Sequence, residues 1–187
     1  MYITEEKLVE AYGKANPHER FKLIYKNYGI FPQLVDCYET GLCNRILFEV
    51  EYNRMKKNDE DLGVRIKTNH LSDTTALKAI ERIMVRNAID ECNFSGTLLK
   101  ETDTPEKHKR DILTIHTMRR EYEVFETSLK TLPQTEYRIT YAHLHDGRKF
   151  TEIAEAEDKA YQTILNIVSK TRKKLEGQTT AFFKEII

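Results

Sequence analysis

Apolar side chains recur at intervals of three and four residues along most of the chain, which is the spacing of one helix face. The first third of the sequence predicts three helices, over residues 5–14, 18–28 and 32–56. The third helix carries a regular stripe of Val35, Tyr38, Leu42, Ile46 and Val50. Strand-like alternation is scarce, and its best example is residues 63–66. We therefore expect an all-α fold.

A polar stretch over residues 56–70 loses this periodicity and indicates a long connection. A fourth helix is predicted to begin at Ser72 or Asp73, either of which can cap free backbone N–H groups, and to run towards Phe94. The apolar residues expected to face inward on it are Leu77, Ile80, Met84 and Ile89.

The fifth predicted helix has the strongest start, with Thr104 as the cap, Pro105 at the first helical position and Glu106 near the positive helix end. Its apolar stripe is the most regular in the chain: Ile112, Ile115, Met118, Tyr122, Phe125 and Leu129. Such a stripe is typical of packing against other helices of the same chain, and also of a coiled-coil seam between two copies.

Leu132 and Pro133 end that helix, and we expect a domain boundary near residue 131. The boundary would separate a helical N-terminal region, residues 1–131, from a C-terminal domain, residues 132–187. The first helix of that domain is predicted to turn inward Tyr137, Tyr141 and Leu144, before Asp146 and Gly147 reverse the chain.

Residues 150–175 have the pattern of a helix-turn-helix, with two helices joined by a short turn. The first would span residues 150–157, with Thr151 as its cap and with Ile153 and Ala154 inward. The turn would be residues 158–160. The second would bury a stripe of Ile164, Val168, Thr171 and Leu175. In a helix-turn-helix, the exposed N-terminal part of the second helix enters the major groove of DNA.

If that stripe is buried, the polar residues around it point outward and are candidates for DNA binding. Gln and Asn can bond N6 and N7 of adenine, whereas Lys and Arg further along suit phosphates. The candidates are Lys159, Tyr161, Gln162, Thr163, Asn166, Lys170, Arg172, Lys173 and Lys174. A basic last turn also stabilises any helix by complementing its dipole, so this pattern leaves DNA binding and a solvated helix end open.

The net charge of the chain is zero, with 30 basic and 30 acidic residues, so the whole-protein charge gives no indication of nucleic acid. The charge is uneven locally, however. Residues 159–175 contain five of the basic residues and none of the acidic ones. Any argument for DNA must therefore rest on this segment.

The order of these residues resembles region 4 of bacterial sigma-70 factors and the sigma-like C-terminal domains of phage regulators. Phe150, Glu152 and Ile153 to Ala156 match the aromatic-x-E-I-A-x-x opening, Thr163 and Ile164 match a T-V pair, and Ser169 with Arg172 to Leu175 matches the closing S-x-x-R-K-K-L. Residues 63–83 are similar to a loop and helix start in phage transcriptional regulators of the ArpU and RinA types.

The resemblance implies a phage-encoded, DNA-binding transcriptional regulator that reads promoter or operator DNA. Its implied partners are double-stranded DNA and the host RNA polymerase, and the N-terminal helices would form a homodimer or hold a partner.

The sequence departs from the family at the turn, where Asp158 replaces the usual Gly and Lys159 an apolar residue. Asp tolerates the left-handed conformation better than most residues, so we expect the turn to survive. Leu165 and Ile167 leave apolar surface where the family is often basic. With the apolar tail, residues 181–187, they keep open an alternative: a sigma-like module that docks on RNA polymerase or another regulator without reading DNA.

Other chemistry is weakly indicated. The three Cys form no CxxC pair, and His143 and His145 are spaced for a metal only on a strand. Phosphate-loop, hydrolase and zinc-protease motifs are absent from the sequence. We expect no enzymatic activity, no metal and no cofactor. No apolar run approaches the roughly 20 residues of a membrane span, and the acidic start is unlike a signal peptide, so we expect no membrane association and a cytoplasmic location.

Overall fold

The computed structural model describes residues 5–60, 74–94 and 98–183. Within these ranges every regular element is helical, which confirms the expected all-α class. The α-helices are α1 Glu5–Lys14, α2 Pro17–Asn27, α3 Phe31–Glu60, α4 Thr74–Glu91, α5 Pro105–Lys130, α6 Gln134–Leu144, α7 Phe150–Ala156 and α8 Tyr161–Thr180. Short 3₁₀ turns lie at Tyr28–Ile30 and Leu98–Glu101.

Several features expected from the sequence lie outside the described residues. They are the short strand at 63–66, the caps at Ser72 and Asp73, and most of the segment that resembles the phage regulators. Among the described helices, none combines the length and the apolar character that crossing a lipid bilayer requires.

Local capping explains where α2 begins. The side chain of Asn16 accepts a hydrogen bond from the backbone N–H of Glu19, and the Glu19 carboxylate accepts one from the N–H of Asn16, both at 3.0 Å. This reciprocal capping box satisfies two N–H groups that the first helical turn leaves free. Pro17 occupies the first helical position, where a missing N–H has no cost.

The chain forms two compact units, which differ from the division expected at residue 131. One unit combines residues 1–36 with residues 117–187, and the other is the continuous segment 37–116. The expected boundary falls inside the first unit. The helix-turn-helix segment therefore shares one compact body with α1 and α2.

Aromatic rings form the centre of the first unit. The Tyr122 ring stacks on Phe31 and on Tyr28, with ring centroids 5.5 Å apart in both cases. Phe125 packs against Tyr28 and Phe21 at 5.4 and 5.6 Å. Rings at these separations bury large apolar areas and contribute additional attraction between their faces and edges.

A buried polar group lies beside these rings. The Tyr12 hydroxyl donates to the Glu121 carboxylate at 2.5 Å, and Arg20 forms an ion pair with the same carboxylate at 3.0 Å. Burial raises the pKa of Glu121, and the hydrogen bond from Tyr12 and the charge of Arg20 oppose that rise. Removing one partner of such a pair leaves a buried charge uncompensated, at a cost of about 3–5 kcal/mol.

The regular stripe on α5 is largely buried within the chain. Ile112, Ile115, Met118, Phe125 and Leu129 are almost fully inaccessible to solvent. Internal packing accounts for this stripe, and the alternative of a coiled-coil seam on α5 is wrong.

In the second unit, the inward face predicted for α4 is wrong at three of four positions. Ile89 is buried together with Val85, but Leu77, Ile80 and Met84 are each at least half exposed. Apolar residues cover such a wide arc of α4 that periodicity alone could not select the buried side. Val85 and Ile89 form the buried side, and two ion pairs to α3 are consistent with this rotation: Lys78 with Glu51 at 2.8 Å, and Glu81 with Arg54.

The residues predicted to face inward on α6 are not the ones that are most buried. Ile139 and Thr140 are fully buried, whereas Tyr137, Tyr141 and Leu144 are only half-buried. The apolar side chain that α6 contributes to the helix-turn-helix core is Ile139. The two tyrosines instead form a row of stacked rings along α6, in which Tyr137 stacks on Tyr141 and Tyr141 stacks on His145.

Candidate nucleic-acid interface

The turn between α7 and α8 is held by backbone hydrogen bonds. The N–H of Lys159 donates to the carbonyl of Ala154 at 3.0 Å, and the N–H of Asp158 donates to that of Glu155 at 3.3 Å. Asp158 has φ of +50°. This is the Schellman arrangement that closes many helices, with a left-handed residue just after the last helical turn. The expectation that Asp158 maintains the turn is confirmed.

A surface ion pair joins this turn to α6. The Arg138 guanidinium donates two hydrogen bonds to the Glu157 carboxylate, one of them from Nε at 2.6 Å. These bonds hold the pKa of Glu157 below its usual value. The two-pronged geometry fixes orientation better than a single contact does, so it helps to set the direction in which α8 leaves the turn.

The core of the helix-turn-helix forms as the hydrophobic pattern predicts. Ile153 and Ala154 of α7 pack with Ile139, Ile164 and Val168 in one buried cluster. On α8 the predicted stripe of Ile164, Val168, Thr171 and Leu175 is buried along its whole length. The expected cap is wrong, because α7 begins at Phe150 with Lys149 as the cap residue, and Thr151 lies within the helix.

All nine candidate DNA-binding residues are exposed on the turn or on α8. Successive residues of an α-helix are rotated by about 100°, so their directions follow from the buried stripe. Opposite that stripe lies one continuous row, which we call the outer row: Gln162, Asn166, Lys170 and Lys173. Lys174 lies on one flank of this row, and Tyr161 and Arg172 lie on the other. The structure thus brings the two amide side chains and two of the lysines onto one face.

The two amides of the outer row bond each other. The Gln162 side-chain nitrogen donates to the side-chain oxygen of Asn166 at 3.2 Å, across one helical turn. Recognition of adenine requires an amide to present a donor and an acceptor together. This bond occupies one of the two N–H donors of Gln162 and one of the two acceptor lone pairs of Asn166, so each amide keeps a donor and an acceptor for contact with a base.

The lysines in and beside the outer row form no ion pairs within the described part of the chain. These lysines are Lys159, Lys170, Lys173 and Lys174. Lys159 interacts electrostatically with the nearby Glu157 carboxylate, whereas Lys170, Lys173 and Lys174 face solvent with no acidic partner among the described residues.

Arg172 differs from these lysines because it contacts another helix. Its guanidinium lies over the ring of Tyr25 on α2, at 5.1 Å from the ring centroid. Burial raises the pKa of Tyr25, and the charge of Arg172 opposes that rise. Periodicity within residues 150–175 could not reveal this contact, since Tyr25 lies far away in the sequence.

The apolar residues that favoured a protein-binding module are mostly used within the chain. Ile167 packs against the core cluster, Leu165 is half-buried, and Phe183 is buried. Phe182 is exposed, whereas Ile186 and Ile187 lie outside the described residues.

The two histidines at the C-terminal end of α6 have separate partners. His143 packs on Phe150, with ring centroids 4.3 Å apart, and His145 stacks on Tyr141 at 4.6 Å. In the described ranges, no group of three or more His, Cys, Asp or Glu side chains is placed to hold a metal ion. In comparisons with known proteins, the chain matches no family model, no curated protein and no solved structure.

Proposed function

We propose that this protein is a DNA-binding transcriptional regulator that places the N-terminal half of α8 in the major groove of promoter or operator DNA. The observation that carries the proposal is the outer row, in which Gln162 and Asn166 precede Lys170 and Lys173 on one exposed face opposite a buried stripe. The amides are the groups that distinguish base pairs, and the lysines are the groups that bind phosphates.

The dimensions of α8 suit this division of roles. Gln162 and Lys173 are eleven residues apart, or roughly 16 Å along the helix axis. The major groove is about 12 Å wide, so a helix whose first turns lie in the groove carries its later turns out towards the phosphates. Lys159 and Tyr161 lie beside the helix start, and Thr163 and Lys174 complete the proposed contact set.

The resemblance to phage regulators adds a cellular role to this proposal. We infer a phage-encoded protein of the cytoplasm that acts on a promoter with the host RNA polymerase. If three cations of the segment bind phosphates, the logarithm of the affinity should change with that of the salt concentration with a slope of about −3. A slope of this size indicates few phosphate contacts for a regulator, so we propose that two copies, or one copy together with the polymerase, are needed for tight binding.

The test is to measure the affinity of the full chain for duplex DNA at several salt concentrations. We expect Lys170→Ala/Lys173→Ala to reduce the slope by about 1.8, because each phosphate contact contributes about 0.9. These lysines are better targets than Arg172, whose loss would also remove its contact with Tyr25. A wild-type affinity that does not respond to salt would contradict the proposal.

Base reading is tested separately by selecting bound fragments from random DNA. Replacing Gln162 or Asn166 with Ala should relax the selected sequence at one or two positions, since a two-bond amide contact is worth about 1–3 kcal/mol of discrimination. An unchanged selected motif would show that these amides do not read bases.

The alternative of a protein-binding module has lost part of its support, since Phe183 is buried and Ile167 is half-buried against the core cluster. It makes a distinct prediction, which is capture of RNA polymerase by the full chain without DNA and no salt-dependent binding to duplex DNA. Replacing the half-buried Leu165 by Ser would then weaken polymerase capture.

A further inference from the structure

The N-terminal helix α2 packs along α8 within the first compact unit. His18 Nδ1 lies 3.2 Å from the Glu176 carboxylate, and the Tyr25 ring lies under the Arg172 guanidinium at 5.1 Å. The two contacts are two helical turns apart on α2 and one turn apart on α8. One side of α2 therefore follows the flank of α8 that carries Arg172.

Gly29 lies in the 3₁₀ turn that follows α2 and shows how closely this part of the chain approaches the end of α6. A β-carbon added to Gly29 would lie 2.9 Å from the backbone carbonyl oxygen of His145 and 3.2 Å from that of Leu144. Only a residue without a side chain fits beside the end of α6 at this distance. The chain is thus held against α6 just after the C-terminal end of α2, and against α8 at His18 near its N-terminal end.

Lys22 lies between these fixed points. It is four residues after His18 and three before Tyr25, so the three side chains share one side of α2. Lys22 is exposed, and so is Lys26 one turn later. Neither forms an ion pair with any described residue.

The basic surface of α8 thus continues onto α2. Residues three apart on a helix have β-carbons about 5–6 Å apart, so Lys22 lies about one turn from Tyr25, whose ring contacts the Arg172 guanidinium. The half-buried Tyr25 therefore links α2 to α8 beside Arg172. No acidic residue lies within the span from Lys22 to Lys26.

The position of α2 suits a DNA strand at the edge of the groove. Packed helices have axes about 8–10 Å apart. With the first turns of α8 in a groove about 12 Å wide, α2 lies beside the later turns, at Arg172 and Glu176, which run out towards a strand that borders the groove. Exposed cations on α2 would then meet phosphates.

We propose that Lys22 and Lys26 form a second phosphate-binding surface, outside the helix-turn-helix, which holds the DNA strand that borders the groove occupied by α8. This inference rests on the proposed function and extends the DNA contact to the N-terminal part of the chain. It also assigns a role to Tyr25, which positions Arg172 between the two basic surfaces.

The test compares variants of the full chain in binding to a duplex of random sequence, over about 50 to 200 mM salt. Lys22→Ala/Lys26→Ala should reduce the salt slope by about 1.8 and weaken binding at 0.1 M salt by roughly tenfold per lysine. The charge-preserving variant Lys22→Arg/Lys26→Arg should keep the slope of the wild type. Thermal unfolding of each variant checks that the fold is intact.

The matched control removes the same charge elsewhere. Lys100 and Lys107 are exposed residues of the second unit that form no ion pair with another described residue. Lys100→Ala/Lys107→Ala should leave the slope unchanged if the contact is local, whereas an equal loss in both double variants would show a general charge effect and overturn the inference.

The α8 variant separates the two proposals. If Lys170→Ala/Lys173→Ala reduces the slope and Lys22→Ala/Lys26→Ala does not, the second surface is refuted and the proposed function stands. If neither reduces it, both proposals fail. A reduction in both, with the control unchanged, supports both.

Discussion

Replacement of Asp158 tests the turn on which the orientation of α8 depends. Its φ of +50° lies in the left-handed region, where the β-carbon of an ordinary residue approaches the following carbonyl oxygen. Glycine avoids this conflict and is the usual residue after a helix that ends in a Schellman arrangement. The informative series is Asp158→Gly, Asp158→Asn and Asp158→Ala.

The expected magnitudes follow from the backbone. The left-handed region costs most residues roughly 1–2 kcal/mol, and less for Asp and Asn. Glycine removes this cost but adds about 0.4–1 kcal/mol of conformational freedom to the unfolded chain. We expect Asp158→Gly to raise the free energy of unfolding by about 0.5 kcal/mol and Asp158→Ala to lower it by about 1 kcal/mol. Asp158→Asn should be close to neutral, and it controls for the lost charge.

Urea unfolding followed by circular dichroism measures these differences. The midpoint should move while the dependence on urea stays constant, since the buried surface is unchanged. In thermal unfolding, 1 kcal/mol corresponds to about 2–4 °C for a chain of this size. If Asp158→Ala were as stable as the wild type, or Asp158→Gly clearly less stable, the left-handed turn would be refuted.

Two further predictions concern the surroundings of the helix-turn-helix. In the same urea assay, Gly29→Ala should destabilise the protein by about 1–3 kcal/mol, because its β-carbon would meet the His145 carbonyl. Gly41 has open space around it, so Gly41→Ala should stabilise α3 by about 1 kcal/mol. The Arg138 contact lowers the pKa of Glu157, so its stabilisation is present above the ordinary pKa near 4.5 and is lost as the pH falls through the lower folded value. Glu157→Gln should therefore lose less stability than the wild type between about pH 5 and pH 3, and equal losses would show that this pair does not contribute.

The stripes on α5 and α8 could be predicted from the sequence because each is narrow and has polar residues on both sides. In α8, Ile164 and Val168 could face only one way, and the exposure of Gln162 and Lys170 followed from that. The wide apolar arc of α4 gave no local signal for which of its sides packs, and the buried side is that of Val85 and Ile89.

The division into two compact units could not be predicted from the sequence for a related reason. Leu132 and Pro133 do end α5, but a break between helices does not show which helices pack together. The contacts of α2 with α8 join residues as far apart as His18 and Glu176, which are separated by 158 positions. The placement of Arg172 on Tyr25 was hidden in the same way, because it depends on a helix from the other end of the chain.

The first unit consists of two segments that are distant in sequence, residues 1–36 and 117–187, and this also constrains the order of folding. The second unit is continuous and can form as soon as residues 37–116 leave the ribosome. By contrast, α1 and α2 are synthesised first, but Tyr12 must wait for Glu121, and His18 for Glu176. Contacts this distant in sequence close large loops and slow folding. A nascent chain therefore completes its proposed DNA-binding unit only after the residues of α8 have been synthesised.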